Sequence, residues 1–396
     1  MKRLAIALLP LILPHAAHAI ERHVTPNGSP SSDCSPGAPC TIQRAANIVN
    51  PGDVVLVADG TYSTGPTGYI LTSTRGGTPT NKVTFKAVNK WGARLSGRPD
   101  TSLRCIRVEA NYVRVENFDI SEFRYAGVYN VSGNFFELVG NHIHDIARTL
   151  CSSDNIGRNG YYSQGTTDIL IEGNLLHDIG RLSVGENGCG TSLDGNDHGL
   201  YMSGSRISVR NNIFYNIRAG WAIQLYPSSS TDVSIYGNTF CGYFQAGTKV
   251  GQITIGPPGS NVRIANNIFS QPRKYLIHMG NSTTTGEFFN NLTDVAISGV
   301  FSISQAGVVT GGNIVNVSPG FAGVTVSGGL VSGTPDFHLL SGSPAIDAGL
   351  PLAEVTRDYD GNPRPQGAGY DLGCYEYMGL GPDVVRPAQV TDLGPF

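Results

Sequence analysis

Short stretches in which apolar and polar residues alternate recur along the chain, each followed by an asparagine and further apolar residues. Alternation with a period of two predicts β-strands that bury one face. The copies read VRVENFDI, FELVGNHI, ILIEGNLL, ISVRNNIF, VSIYGNTF and VRIANNIF, with Asn117, Asn141, Asn174, Asn212, Asn238 and Asn267 at the turn, and weaker copies near Asn291 and Asn313. Their spacings are 24, 33, 38, 26, 29, 24 and 22 residues. This period, with occasional insertions, predicts a solenoid whose coils bury their apolar faces by stacking.

The repeated asparagine has a structural explanation. In a parallel coil each asparagine can stack above the next, and its amide can hydrogen-bond the backbone groups that a buried turn would otherwise leave unpaired. With this repeat the chain resembles the right-handed parallel β-helix (pectate-lyase-like) superfamily over roughly residues 36–345. The resemblance implies an all-β solenoid, and it says much less about activity than about fold.

The two ends of the repeat differ from its middle. Residues 41–49 predict a short amphipathic helix that caps the N-terminal end of the solenoid, because terminal repeats are atypical. Residues 343–377 resemble a C-terminal segment of bacterial secreted β-helix proteins, and their Asp, Gly and Pro content predicts turns over the last coil. The predicted organisation is a signal peptide at 1–19, a β-helix domain at 20–345, a C-terminal capping segment at 346–378 and a flexible tail at 379–396.

The first residues are typical of an export signal. Lys2 and Arg3 precede an apolar run from Leu4 to Leu13, and Ala17-His18-Ala19 predicts cleavage after Ala19. No later stretch approaches the ~18 consecutive apolar residues of a membrane span. We therefore expect a secreted protein, periplasmic or extracellular.

Composition narrows the function classes. The chain has 396 residues, of which 51 are glycine and only 14% are charged, which argues against a helical bundle, a coiled coil or a disordered chain. A formal net charge of −3 gives no support for nucleic-acid binding. Residues 141–280 hold ten basic and nine acidic side chains, which leans towards an acidic substrate. The oligomeric state is not predicted.

Seven cysteines make disulfides plausible in an exported protein, and the odd number leaves at least one thiol outside intrachain pairs. Cys34 and Cys40 are close together in a Pro/Gly-rich loop. Cys151 and Cys189 lie in the two insertions, at about 149–159 and 182–196, that follow equivalent positions of adjacent coils. We predict that each of these two pairs is bonded.

The insertions indicate a binding face, since loops on one side of a solenoid usually form it. In the superfamily that the chain resembles, loops here wall a groove for polysaccharide chains. Alternation in the strands that follow predicts one outward column of Tyr129, Tyr162, Tyr201, Gln224, Thr254 and His278. Tyrosines suit sugar faces, although an aromatic ladder that supports cross-strand packing explains them as well.

The densest polar cluster is Asp194-Gly-Asn-Asp197-His198-Gly-Leu-Tyr201, where alternation places Asp197 outward and His198 inward. β-Elimination on a uronate polysaccharide needs a cation for the sugar carboxylate, a base for the C5 proton and an acid for the leaving oxygen. We assign Arg218 or Arg181 to the carboxylate, His198 or Lys249 to the base and Tyr201 to the acid. The substrate-binding prediction comprises Tyr129, Tyr162, Gln224, His278 and Asp197. Repeated His144 and His177, with Asp145 and Asp178, indicate a structural stack.

Two alternatives stay open beside an acidic-polysaccharide lyase or the related epimerase. A glycoside hydrolase needs two facing carboxyl groups, which Asp154, Glu186, Asp194 and Asp197 could supply. The same oxygens could hold Ca²⁺, although no EF-hand-like spacing supports it. A non-catalytic carbohydrate-binding or surface protein is the second alternative, but unequal insertions beside a polar cluster favour an enzyme.

Overall fold

The computed structural model describes residues 19–63, 68–97, 102–192, 195–242, 251–272, 275–281, 283–295, 301–302 and 307–379. Most of the predicted signal peptide, most of the predicted tail, Asp194 and Lys249 lie outside these residues. Strands are numbered β1 to β32 in chain order. Three parallel sheets wind around a common core, which confirms the predicted all-β solenoid.

A complete coil contributes one strand to each sheet, and the incomplete coils at the ends contribute to fewer. Sheet 1 contains β1 (Glu21–Ser29), β2 (Val54–Val57), β5 (Val83–Ala87), β8 (Val113–Glu116), β11 (Glu137–Val139), β14 (Thr166–Glu172), β17 (Gly204–Arg210), β20 (Ser230–Tyr236), β23 (Gly259–Ala265), β26 (Gly286–Phe289) and β29 (Val308–Gly311). Sheet 2 contains β3 (Gly60–Tyr62), β6 (Ala93–Ser96), β9 (Asp119–Ser121), β12 (His142–Ile146), β15 (Leu175–Ile179), β18 (Ile213–Ile217), β21 (Thr239–Cys241), β24 (Ile268–Ser270), β27 (Leu292–Thr293) and β30 (Ile314–Val315). Sheet 3 contains β4 (Leu71–Ser73), β7 (Arg104–Val108), β10 (Ala126–Asn130), β13 (Asn159–Ser163), β16 (His198–Met202), β19 (Trp221–Leu225), β22 (Gly251–Ile255), β25 (Tyr275–Met279) and β28 (Phe301–Ser302).

The core forms because equivalent side chains of successive coils stack inside the solenoid. In sheet 1, alternate residues such as Val113 and Val115 are fully buried. In sheet 2, Phe214, Phe240 and Phe269 form a stack with ring centroids 5.0 and 4.9 Å apart and planes within 7° of parallel. The strict register repeats each apolar position directly above the last. The alternating pattern in the sequence therefore codes for one continuous core.

The predicted asparagine ladder lies at the turn from sheet 1 to sheet 2. From Asn174 to Asn313, the Oδ1 atom of each ladder asparagine accepts a hydrogen bond from the backbone N–H of the ladder asparagine one coil earlier, at 2.9–3.0 Å. Their amide groups donate to backbone carbonyls, as Asn238 does to Val209 and Tyr236. The ladder therefore satisfies backbone groups that are shielded from water.

Asn117 does not belong to this ladder, so its place in the predicted series is wrong. The ladder position of its coil is Phe118, whose N–H donates to Oδ1 of Asn141. Asn117 occupies the preceding position, with a φ of 66°, where later coils have residues such as Gly140 and Asn211 at positive φ. Glycine and asparagine tolerate this left-handed conformation, so the sequence places asparagine at two adjacent turn positions for two different reasons.

One α-helix, α1 (Ile42–Ile48), is found among the described residues, close to the prediction. Its N-cap is Thr41, whose side chain accepts a hydrogen bond from the Arg44 N–H. Ile42, Ala45 and Ala46 are buried and join the main core cluster. The helix is thus packed into the fold near its N-terminal end.

The C-terminal region departs from the prediction. The coil strands end at Val315, before the expected boundary at residue 345, and β31 (Phe321–Ser327) pairs with β32 (Leu330–Leu339) as an antiparallel hairpin. The chain beyond the hairpin lies along the side of several coils. There the side chains of Asn290, Asn266 and Asn211 donate to the carbonyls of Ala348, Leu350 and Arg357. This arrangement corrects the expectation of a segment that covers the last coil.

Both predicted disulfides are present. Cys34 is bonded to Cys40, and Cys151 is bonded to Cys189 across 38 residues of sequence. Cys105, Cys241 and Cys374 are free thiols and are buried. Within the described ranges, no helix is both long and apolar enough to cross a membrane.

Candidate functional site

Two insertions lie beside each other at the turn from sheet 2 to sheet 3, as predicted. The first precedes β13 and the second precedes β16, and the Cys151–Cys189 disulfide joins them with a Cα–Cα distance of 5.4 Å. Side chains also hold them, since the Asn196 amide donates to Oδ1 of Asn155. The insertions therefore border the outer face of sheet 3 at the strands that carry Tyr162 and Tyr201.

The predicted column on that face is confirmed by the strand register. Tyr129 pairs with Tyr162, Tyr162 with Tyr201, and the same position continues through Gln224, Thr254 and His278. The Tyr162 and Tyr201 rings are stacked, 5.3 Å apart and 3° from parallel. The Tyr129 and Tyr162 rings are 5.2 Å apart. The rings thus form the predicted ladder, and all three remain partly exposed for a ligand.

The register also extends the column to residues that the sequence reasoning missed. Tyr129 pairs with Arg107, and Ala126 pairs with Arg104 at the start of the same strand. The Arg104 guanidinium lies 4.5 Å from the Tyr129 ring centroid and 5.3 Å from that of Tyr125. No carboxylate of the described residues lies within 4.0 Å of it, whereas Arg107 is paired with Glu109. The pattern Arg104-Cys-Ile-Arg107-Val108 carries this signal, because it aligns with Ala126-Gly-Val-Tyr129-Asn130.

Two phenols of the column, those of Tyr162 and Tyr201, have a raised pKa. Burial, together with the neighbouring phenols of Tyr162 and Tyr226, raises the pKa of Tyr201 to about 12. Burial and the Tyr129 phenol raise the pKa of Tyr162 also, while the positive charge of Arg104 opposes this shift. Tyr201 therefore carries a proton at neutral pH and can donate it, and the guanidinium of Arg104 is close enough to influence Tyr162.

His198 is buried beside this column. Its ring is 5.6 Å from the Tyr201 ring and is 2% exposed. Its Nδ1 atom accepts a hydrogen bond of 3.1 Å from the Trp221 backbone N–H, and burial lowers its pKa to about 3. Since a backbone N–H cannot reverse its role, the lone pair of Nδ1 is occupied and Nε2 carries the proton. A neutral His198 can donate a hydrogen bond but is unsuited to the role of general base, which corrects that assignment.

Asp197 and Arg181 are buried together beneath the first insertion. Both side chains are 0% exposed, and Arg181 Nη2 and Nε lie 2.8 and 2.9 Å from the two carboxylate oxygens of Asp197. Arg181 also donates to the carbonyls of Ser152, Asp154 and Ile156, which fixes the insertion to the coil. Neither side chain can contact a polysaccharide, so the predicted roles of Asp197 in substrate binding and of Arg181 in carboxylate binding are wrong.

Arg218 is also engaged in the architecture of the insertions. Its guanidinium binds Asp178 at 2.8 Å and Glu186 at 3.3 Å, and its side chain is only 13% exposed. Arg148 forms a second ion pair with Glu186. These contacts tie the second insertion to sheet 2 and remove Arg218 from the groove-facing cations. Lys249 lies outside the described residues, so its assignment as the base stays a prediction.

The carboxylates considered for hydrolysis are held by arginines. Both carboxylate oxygens of Asp154 accept hydrogen bonds from Arg158 Nη2, at 2.9 and 2.8 Å. Glu186 and Asp197 have the partners described above, and Asp194 lies outside the described residues. The described insertion residues therefore offer no facing pair of free carboxyl groups, and no group of three or more carboxylates is found near them. Calcium binding stays a prediction.

One of the known proteins that resemble this chain shares its fold over most of both chains. No protein-family profile matches the chain. A pectate disaccharide-lyase of Dickeya chrysanthemi is 28% identical over 144 residues, which is 36% of this chain but only 17% of that enzyme. The crystal structure of pectate lyase Pel9A superposes with a TM-score of 0.55 at 17% identity, covering 90% of this chain and 96% of that one. A rhamnogalacturonan lyase gives a TM-score of 0.42 at 15% identity, covering 82% and 97%.

Proposed function

Since the chain has the pectate-lyase-like right-handed parallel β-helix fold, we propose that it is a polysaccharide lyase that cleaves a uronate-containing polymer by β-elimination. The polymer lies along the tyrosine column of sheet 3, between the two insertions and the edge that carries Arg104. The pectate disaccharide-lyase that matches part of the sequence acts, by its name, on such a polymer. The fold itself leaves the reaction open, so the proposal depends on the groove.

The observation that supports it is the distribution of charge in the groove. Arg104 is a cation with no carboxylate partner among the described residues, and it lies beside the row of tyrosines that includes the protonated Tyr201. By contrast, the described carboxylates of the insertions are neutralised by Arg148, Arg158, Arg181 and Arg218. A free cation attracts an anionic sugar, and the occupied carboxylates are poorly suited to the acid and nucleophile roles of a hydrolase.

In this proposal Arg104, which lies beside Tyr129, binds a carboxylate of the uronate polymer. Tyr201 is the general acid. A base removes the C5 proton, the electron pair forms the C4–C5 double bond, and the C4–O bond breaks. The departing oxygen takes the phenolic proton of Tyr201, which solvent later restores. With a pKa of about 12, Tyr201 is protonated before the reaction begins, as an acid must be. The neutral His198 ring lies 5.6 Å from the Tyr201 ring, and Lys249 remains the base that the sequence suggests.

The test is an assay of the purified mature protein against polygalacturonate, alginate, a glycosaminoglycan and a neutral glucan. The unsaturated uronate left by β-elimination absorbs ultraviolet light, whereas hydrolysis gives new reducing ends without that absorbance. We expect absorbance and reducing ends to rise together on an anionic polymer and to stay flat on the neutral glucan. Reducing ends without absorbance would establish a hydrolase. Binding without either product would establish a carbohydrate-binding protein.

A further inference from the structure

A cluster of histidines lies on the outer face of sheet 2, away from the tyrosine column. His142 and His144 are on β12 and His177 is on β15, where it pairs with His144 in the strand register. Coordinating atoms of the three residues lie within 4.8 Å of one another, and theirs is the one such group among the described residues. Their side chains are 16%, 18% and 15% exposed, so the cluster is sheltered but accessible from solvent.

Each of these histidines presents its Nδ1 atom to a carboxylate. Nδ1 of His142 is 3.1 Å from Asp119, that of His144 is 2.7 Å from Asp145, and that of His177 is 2.8 Å from Asp178. An ionised carboxylate only accepts hydrogen bonds, so each Nδ1 carries a proton. In His142 and His177 this arrangement is the one that orients a histidine for metal binding, because it directs the Nε2 lone pair away from the carboxylate. Nε2 of His144 lies 3.4 Å from both oxygens of Asp119, so Asp119 would have to release it when a metal binds.

With both Nδ1 atoms protonated, the neutral His142 and His177 rings have no proton to share between their Nε2 atoms. The Nε2 atoms of His142 and His177 face each other at 2.7 Å. If both rings are neutral, both of these atoms are acceptors and two lone pairs are in contact. A cation must therefore lie between them, either a proton on one ring or a metal ion bound by both.

We propose that His142, His144 and His177 form a zinc site. Three imidazoles with carboxylate partners are a donor set typical of Zn²⁺, whereas Ca²⁺ prefers six to eight oxygen ligands. Zinc–nitrogen bonds of about 2.0–2.1 Å in a tetrahedral site hold nitrogens roughly 3.3 Å apart, so the His142 and His177 rings separate slightly on binding. The three aspartates supply the negative charge that favours a divalent cation over a single proton.

Zinc binding would stabilise the insertions that border the groove, because residues that contact the histidines also contact the insertions. Asp178 binds both His177 and Arg218, and Arg218 binds Glu186 of the second insertion. His144 is followed directly by the residues that lead into the first insertion. Zinc would therefore fix the base of both insertions. This role is structural, and it does not depend on whether the groove catalyses a reaction.

The test uses tag-free protein, stripped with a chelator and titrated with Zn²⁺ by calorimetry in buffers of different ionisation enthalpy. We expect one zinc per chain, at least one proton released per zinc, and a higher Tm of the zinc-loaded protein. His142→Gln and His177→Gln should weaken binding by more than the roughly 10- to 100-fold expected for the supporting variant Asp119→Asn.

His338→Gln is the matched control. His338 also lies between two carboxylates, Asp336 and Asp360, but among the described residues it belongs to no group of three possible metal ligands. Its substitution should leave zinc binding unchanged. Circular dichroism of the zinc-free variants confirms that they are folded. The proposal is overturned if the wild type binds no stoichiometric zinc, or if folded His142→Gln and His177→Gln bind zinc as the wild type does.

Discussion

Arg181 and Asp197 form an ion pair from which solvent is fully excluded, with both carboxylate oxygens bonded to the same guanidinium. The remaining donors of Arg181 are directed to three carbonyls of the first insertion. The pair thus joins a loop of the groove wall to the start of β16, which carries Tyr201. It positions the wall of the groove without contacting what the groove binds.

Removal of the Asp197 charge should therefore lower the free energy of unfolding. Asp197→Asn leaves the guanidinium of Arg181 buried without its counter-charge, and we expect a loss of about 3–5 kcal/mol in the free energy of unfolding. Asp168→Asn is the control, because Asp168 pairs with a surface arginine, Arg206, and should cost only about 0–1 kcal/mol. Denaturant titrations measure both. Equal, small losses would show that the buried pair does not anchor the insertion.

Tyr201→Phe should abolish turnover and leave the binding of polysaccharide intact. The substitution removes the phenolic proton but keeps the ring that stacks on Tyr162. Loss of a general acid lowers kcat by roughly 10²–10⁴. Tyr129→Phe, in the same column, should retain most of the activity, and Tyr162→Phe should retain more than Tyr201→Phe. Activity lost only in Tyr162→Phe would move the proton donor one coil towards Arg104 and leave the lyase assignment in place.

Arg104→Gln should weaken binding of an anionic polymer. A charge-assisted hydrogen bond contributes roughly 1.5–3 kcal/mol, so we expect KM to rise about 10- to 100-fold with a smaller change in kcat. Arg263→Gln is a suitable control, since Arg263 is on sheet 1 and pairs with the exposed Glu287. The difference between the two variants should shrink in high salt. An unchanged KM in Arg104→Gln would contradict carboxylate binding at this residue.

Asn238→Ala tests the asparagine ladder. It removes the acceptor of the buried Asn212 N–H, along with the donors to Val209 and Tyr236. Each buried group left without a partner costs about 1–3 kcal/mol, so the Tm should fall by several degrees. Asn89→Ala is the control, because Asn89 bonds Asp59 at the surface and does not have a positive φ. A similar, small change in both variants would show that the ladder amides contribute little.

The neutral state of His198 predicts a pH-dependent stability. Its folded pKa of about 3 lies below the ordinary value of 6.5, so the unfolded chain takes up a proton that the folded chain refuses. Relative to His198→Gln, the wild type should have its full stability above pH 6.5 and lose about 1.4 kcal/mol per pH unit as the pH falls towards 3. Chemical denaturation at several pH values measures this difference. A constant difference would place the His198 pKa near its ordinary value.

The local pattern predicts the fold of this chain well because each coil repeats the same few rules. Alternation locates the strands, and the spacing of Asn141, Asn174 and later asparagines locates the turns. The same rules fail at Asn117. Asparagine suits both the ladder position and the position before it, and Asn117 occupies the latter, where a positive φ is required. The Cys151–Cys189 disulfide was predictable because insertions at equivalent positions of adjacent coils must be neighbours, and the Cys34–Cys40 disulfide because its cysteines are close in sequence.

The candidate site was predicted less well, because the tertiary structure, and not the local sequence, determines which charged side chains form ion pairs. The outward column follows from alternation, and Arg104 would have followed from extending the alignment by one coil. Nothing in the local pattern shows that Asp197 turns inward to meet Arg181, or that Arg218 is shared between Asp178 and Glu186. The hydrogen bond that fixes the tautomer of His198 comes from a residue 23 positions away.

The chain beyond the hairpin gives the solenoid a property that simple stacking lacks. In a repeat protein each coil contacts only its neighbours, so the ends can fray one coil at a time. Here residues 348–357 bond to Asn290, Asn266 and Asn211, which belong to different coils. None of those coils can open by itself without releasing residues 348–357, so we expect the coils to unfold as one cooperative unit. Because residues 348–357 are synthesised after the coils they bind, that cooperativity arises only after this segment has been made.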